Sequence, residues 1–195
     1  QYFLGEAYYQ NNEYLDAITE FEKLTRRMGF SEYVEKARFK ICEAYKIESP
    51  KYYHDQEYTV KALERYQEFM DDYPNSEYTE LIMVSIEELR NKLAEKLYQT
   101  GILYIKMEEF ESAKIAFNEA INTYYDTEII HKLYQGLIIT LSKNLEFEKA
   151  YEILKKHESS LKKYNLYSDA LSSIDIETNK LKKGKKWKFV YLVVL

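Results

Sequence analysis

The side chains that could carry chemistry in this sequence are sparse and poorly placed for it. Its three histidines, His54, His131 and His157, stand far apart, and neither they nor Cys42 fall at ligand spacing. A metal set cannot be read from them. The sequence has no Gly-rich phosphate loop and no nucleophile elbow. Its 33 acidic residues read as solvated helix faces. General acid–base work would need a carboxylate pair singled out by an apolar setting, and none is. The expectation is a protein that is not an enzyme, holds no metal or cofactor, and acts by binding.

The elements that would position a binding surface announce themselves through small and aromatic residues at helical offsets. Ala17 is followed four residues on by Phe21, Ala62 by Tyr66, and Ala113 by Phe117. Tyr8 and Tyr104 stand nine residues before the first and last of these alanines, with Gly5 and Gly101 three residues further back. Pro74 follows Ala62 by twelve. These are the offsets of a tetratricopeptide repeat, a helix–turn–helix unit of about 34 residues. Gly5, Cys42 and Gly101 fall where the two helices of a unit cross, so a large side chain there would drive them apart. The predicted fold is all-α, a tetratricopeptide-repeat superhelix.

Departures from the plain repeat are informative. The alanines at 17, 62 and 113 are 45 and 51 residues apart, against about 34 for the simple unit. An insert follows Tyr45, running from Lys46 to Gln56, and Asp55 is placed to cap the helix after it. About 17 extra residues follow Pro74 without Gly or Pro, keeping Ile82, Ile86, Leu89, Leu93 and Leu97 in helical period. They predict one extended helix near 77–105, roughly 40 Å long at 1.5 Å per residue. A weaker fourth unit carries Gly136 and Ala150, and a last amphipathic helix spans 165–183.

Composition fits this scheme. The 195 residues include five Gly, two Pro and 46% hydrophobic residues, and no Pro-, Gly- or Ser-rich linker divides them. One solenoid domain over 1–183 is therefore expected. The 21 tyrosines suit a thin core that is never far from water. A net charge of −5 without a basic stripe argues against nucleic acid. A single cysteine excludes an internal disulfide framework. Gln1 lies inside the first helix of a unit, which suggests a chain truncated at its N-terminus. Residues 184–195 form a tail in which lysines precede an apolar run too short to span a bilayer. Membrane contact, β-pairing with another chain, and a shifted or truncated reading frame all remain open for it.

The run Ser49-Pro50-Lys51-Tyr52, then Asp55-Gln56-Glu57-Tyr58-Thr59 and Lys61-Ala62, resembles the insert of the BamD family of outer-membrane assembly lipoproteins. So does Phe69-Met70-Asp71-Asp72-Tyr73-Pro74-Asn75-Ser76-Glu77-Tyr78. The stretch Leu89-Arg90-Asn91-Lys92-Leu93-Ala94-Glu95-Lys96 is similar to that family's extended helix. Tyr125 stands where the family has a proline. The likeness covers residues 1–130 well and 131–183 loosely. It implies a periplasmic scaffold on the outer membrane, held there by a lipidated N-terminal Cys. It also implies binding to the periplasmic domains of the BamA insertase and to unfolded outer-membrane proteins.

In a repeat stack the first helix of each pair lines the concave face. The predicted groove positions are Tyr2, Glu6 and Tyr9, then Phe39, Glu43 and Lys46, with Tyr98, Ile102 and Ile105 following. Such a lining suits an extended peptide with aromatic side chains, as barrel strands are. The same aromatics could equally serve only to pack between repeats. Glu6 and Glu43 argue against a clamp for a chaperone's C-terminal carboxylate. Arg90, Lys92 and Lys96 form a basic cluster matching the family's helix, a candidate contact for the insertase. Alternatively, they pair with Glu87, Glu88 and Glu95 on a solvated face. A different partner, for another repeat adaptor of the cell envelope, is the second functional reading.

Overall fold

The computed structural model describes the backbone of residues 1–193 and the side chains of residues 1–183. Among them every regular element is an α-helix. The helices are α1 Tyr2–Gln10, α2 Tyr14–Arg27, α3 Val34–Glu48, α4 Glu57–Asp72, α5 Thr79–Lys106, α6 Phe110–Thr123, α7 Ile130–Lys143, α8 Phe147–Lys156, α9 Glu158–Lys163 and α10 Tyr167–Val193. Sequence neighbours pack as pairs: α1 on α2, α3 on α4, α6 on α7, α7 on α8. The extended helix predicted at 77–105 is α5, with 28 residues. The last helix runs beyond residue 183, where it was expected to end, to Val193. The side chains of the basic and apolar tail, 184–195, lie outside the described residues.

Four of the turns between helices share one design. Asn12, Glu108, Leu145 and Asn165 take the left-handed conformation, with φ of 58–62°. The next residue's N–H then reaches back to the carbonyl five residues earlier: Glu13 to Tyr8 at 2.9 Å, Glu109 to Tyr104 at 2.9 Å, Glu146 to Leu141 at 2.8 Å and Leu166 to Leu161 at 2.9 Å. This closure occupies a helix carbonyl that would otherwise lack a partner. Two residues after each left-handed position stands an aromatic, and five after it an alanine: Tyr14 and Ala17, Phe110 and Ala113, Phe147 and Ala150, Tyr167 and Ala170. All four alanines are fully buried.

Between α3 and α4 the insert replaces that turn. Thr59 lies where the other units place the aromatic, and it is buried. Its hydroxyl donates to Gln56 Oε1 at 2.7 Å and lies 2.5 Å from Ser49 Oγ. Gln56 Nε2 in turn donates to the carbonyls of Lys51 and His54. Asp55 accepts the N–H of Glu57, the first residue of α4, at 2.9 Å, as expected of its carboxylate, but from one position before the cap, which is Gln56.

By packing, the chain divides into two compact units, Gln1–Leu93 and Ala94–Leu195. The boundary falls inside α5 and not in a linker. The first unit has two apolar clusters. One joins Ala17, Phe21 and Leu24 to Ala37 and Ile41, and the other joins Phe39 and Cys42 to Ala62, Tyr66, Phe69, Ile82 and Leu89. Gly5 is required by packing, because a Cβ there would come 2.7 Å from Phe21 Cε1.

In the second unit a single cluster runs from Ala113 and Phe117 through Leu133, Ile138 and Ala150 to Ala170 and Ile174. Phe117 is its keystone. A Cβ at Gly101 would lie 2.6 Å from its Cζ, and one at Gly136 2.5 Å from the same atom. On the surface Lys114 and Lys149 pair with Glu146 at 2.8 and 2.5 Å. Hydrogen bonds from Lys114, Lys149 and Asn144 hold the Glu146 carboxyl down to about 2. Lys149 is exposed, so its pair adds little stability, whereas Lys114, Glu146 and Asn144 are half-buried and tie the turn after α7 to α6.

Candidate binding groove

The predicted concave surface of the first unit is built by α1 and α3. Glu6 and Tyr9 of α1 both meet Lys40 of α3. The Lys40 ammonium lies 3.5 Å from Glu6 Oε1 and 4.1 Å from the centre of the Tyr9 ring. Gln10 also donates to Glu6 Oε1 at 2.9 Å. Tyr9 packs edge-on to Tyr14, and burial, followed by the nearby charge of Glu43, raises its phenol to about 12. Tyr2 stacks on Tyr33 at 4.8 Å and leans on Phe21. The two tyrosines and Glu6 are half-buried, each with one side packed and one side reachable.

On α3 the register differs from the expected one. Phe39 was assigned to the groove, but it is only 9% exposed and lies in the core. Its ring stacks on Tyr78 at 4.1 Å and meets Phe69 edge-on. Interior packing, the alternative reading for this aromatic, is what the structure has. The reachable face of α3 runs instead through Lys36, Lys40, Glu43 and Ile47, spaced four, three and four residues apart. Lys40 was missed, although its spacing from Lys36 and Glu43 marks it as their neighbour on one face.

Glu43 and Lys46 belong to a polar thread that crosses from α3 to α4 and α5. The Tyr66 hydroxyl donates to Glu43, and burial with this carboxylate beside it pushes the phenol well up. Lys46 Nζ donates to Ser85 Oγ at 2.9 Å and pairs with Glu88 at 2.7 Å. Lys92 of the basic cluster turns toward the insert, its ammonium 2.7 Å from Ser49 Oγ and 3.3 Å from Ser49 O. Ser49 is the residue that ends α3, so Lys92 supplies the positive charge a helix C-terminus favours. Burial and then Lys46 lower its pKa. Arg90 and Lys96 are half-buried on α5, in the first and second units respectively.

In the second unit Tyr98, Ile102 and Ile105 are partly buried and pack on the apolar cluster. The same unit brings together two histidines that are 26 residues apart in sequence. His131 stacks on Tyr164 at 4.0 Å with Ser160 Oγ 2.5 Å from Nδ1, and His157 stacks on Tyr134 at 3.6 Å. Burial lowers both pKa values. The available signal was the one-turn spacing of His131 to Tyr134 and of His157 to Ser160 to Tyr164. Cys42, 1% exposed at the α3–α4 crossing, has its thiol pushed far up by burial.

Among the described residues, no group of three His, Cys, Asp or Glu side chains is placed to hold a metal, and no helix is long and apolar enough to cross a membrane. The groove combines aromatic faces, the cations of Lys36 and Lys40 and the carboxylates of Glu6 and Glu43 on packed helices. That chemistry suits an extended peptide held by ring contacts and a few directed charges. Residues 44–160 match the family YfiO, described as outer membrane lipoprotein. The matched span opens within α3, takes in the insert and all of α5, and closes within α9. No curated protein matches the chain.

Proposed function

Because the chain belongs to the YfiO family of outer membrane lipoproteins, we propose that it is a non-enzymatic scaffold of outer-membrane β-barrel assembly. In this reading it works on the periplasmic face of the outer membrane. It binds unfolded outer-membrane protein segments in the first unit's groove and the periplasmic domains of the BamA insertase elsewhere. The observation that carries the reading is the family match itself, which spans the insert and the extended helix, the two features a generic repeat protein lacks. The groove supports it through Tyr2, Glu6, Tyr9 and Lys40, which offer rings and charges on an open surface. The candidate insertase contact is the α5 cluster of Arg90, Lys92 and Lys96, of which Lys92 also holds Ser49.

Two binding assays test this. The purified chain should bind a labelled peptide with alternating apolar residues and a terminal aromatic, and separately the insertase's periplasmic domains. Tyr9→Ser with Lys40→Glu should weaken peptide binding about tenfold and leave the insertase contact intact. Failure to bind either ligand would remove the assembly reading. It would favour a different adaptor of the cell envelope, whose partner a pull-down from envelope extracts would identify.

A further inference from the structure

The second unit carries an unbalanced group of cations where α8 gives way to α9. Lys155, Ser159 and Lys162 are four and three residues apart, the spacing of one helix face. At His157 the backbone leaves helical geometry, with φ −110° and ψ 17°. The face is bent there into an open recess of about 420 Å³, lined by Lys155, Lys156, Glu158, Ser159 and Lys162.

Three ammonium groups share this recess with one carboxylate, and that carboxylate is already taken, since Lys162 pairs with Glu158 at 2.5 Å. Lys155 and Lys156 are exposed, and among the described residues neither has an ion-pair or hydrogen-bond partner for its ammonium. Glu152, Lys163 and Asp169 are the next charged residues along the chain. With them counted, four bases still stand against three acids. The half-buried histidines beside the recess register the same field. After the burial that lowers both, Lys156 acts on His157 and Lys163 on His131, and among the described residues no carboxylate opposes them.

The surplus calls for an anion, and the donors select its kind. An ammonium is a compact point charge with rotating N–H bonds and no planar fork. Lysines therefore suit a tetrahedral group with oxygens in several directions better than a flat carboxylate. A phosphate group presents three strong acceptor oxygens, and the Ser159 hydroxyl can donate to one of them. The volume leaves room for the group that bears the phosphate.

We propose that this recess binds a phosphate group, with Lys155 and Lys156 on its oxygens and the Ser159 hydroxyl donating to one of them. A lipid headgroup and a soluble phosphate ester present the same chemistry. The site lies in the second unit and does not depend on the groove's proposed role.

The test is a titration of the isotope-labelled full chain with inorganic phosphate, followed by nuclear magnetic resonance at low ionic strength, where exposed charges are least screened. Phosphate should shift the signals of Lys155, Lys156 and Ser159 saturably, and acetate at the same ionic strength should bind about fivefold more weakly or worse. Lys155→Gln combined with Lys156→Gln should weaken phosphate by a similar factor. Lys149→Gln, which removes a like charge from α8 outside the recess, should not. All three lysines are exposed, so the substitutions leave the core untouched. Vesicles of phosphatidylcholine mixed with phosphatidic acid separate the two sources. If the paired variant also loses vesicle binding, the phosphate is a headgroup; if it loses inorganic phosphate alone, the phosphate is soluble. A missing saturable response to inorganic phosphate overturns the proposal, whatever the vesicles show. So does equal binding of acetate, or an equal loss in Lys149→Gln.

Discussion

The two compact units meet the same packing demand with different interiors. In the second, one apolar cluster is continuous and its central ring, Phe117, fills two glycine crossings at once. In the first, the apolar interior is split into two clusters, and Glu43, Tyr66, Ser85, Lys46 and Glu88 run as a polar thread beside one of them. The insert and the candidate binding groove lie in this divided unit. The contrast teaches that a helical stack can keep one part for cohesion and leave another partly polar for recognition, since polar groups that are already bonded can sit near a surface at little cost.

The sharpest way to break the comparison is at the rings. Phe117→Ala should cost about 3–5 kcal/mol, the upper range for a deleted core aromatic, because two helix crossings lose their filler. Phe21→Ala in the first unit should cost less, since its ring meets one glycine, Gly5. Thermal and denaturant unfolding of the two variants would show the difference, and equal losses would erase the contrast. Next in size is Gly136→Ala. The new methyl would collide with Phe117 and cost about 1–3 kcal/mol, despite alanine's helix-propensity gain of about 1 kcal/mol. Circular-dichroism melts read this directly.

Lys92→Met probes the polar half and should be milder, about 1 kcal/mol for a partly solvated charged hydrogen bond. Its signature is local: amide exchange should quicken across 49–56, where Lys92 holds Ser49, and stay unchanged in the second unit.

The smallest effect concerns acid. Burial lowers His131 and His157, with Lys163 and Lys156 adding to the shift on each. The unfolded chain therefore holds these protons more tightly than the folded one. Between the ordinary histidine value of about 6.5 and the lower folded values, stability rises with pH, so acidification through that window should loosen the second unit. Replacing both histidines with Gln should flatten this part of the pH profile, measured by unfolding at pH 7 and pH 5.

Much of the architecture was legible in the sequence because helix crossings tolerate few residues. Gly5, Cys42 and Gly101 marked the crossings, and the stretch without Gly or Pro between Pro74 and Gly101 marked α5. The groove was read less well, for a geometric reason. Phe39 and Lys40 are neighbours 100° apart on a helix, so a register error of one residue exchanges a core ring for a surface cation. Lys92 could not be read from spacing, because its partner Ser49 is 43 residues away and meets it only through the fold. The left-handed turns could have been found. The four copies that place an aromatic two residues and an alanine five residues after the turn are regular, but only two of the left-handed residues are asparagine and none is glycine, so the usual marker of such turns was missing.

Cys42 gives the molecule an internal clock. It is the chain's one thiol, sealed where α3 crosses α4 and held protonated by its surroundings. An alkylating reagent can react with it only after that crossing opens, so the rate of labelling in native conditions reports the opening of the first unit. Compared with global unfolding, that rate would show whether the divided half breathes independently of the half built around Phe117.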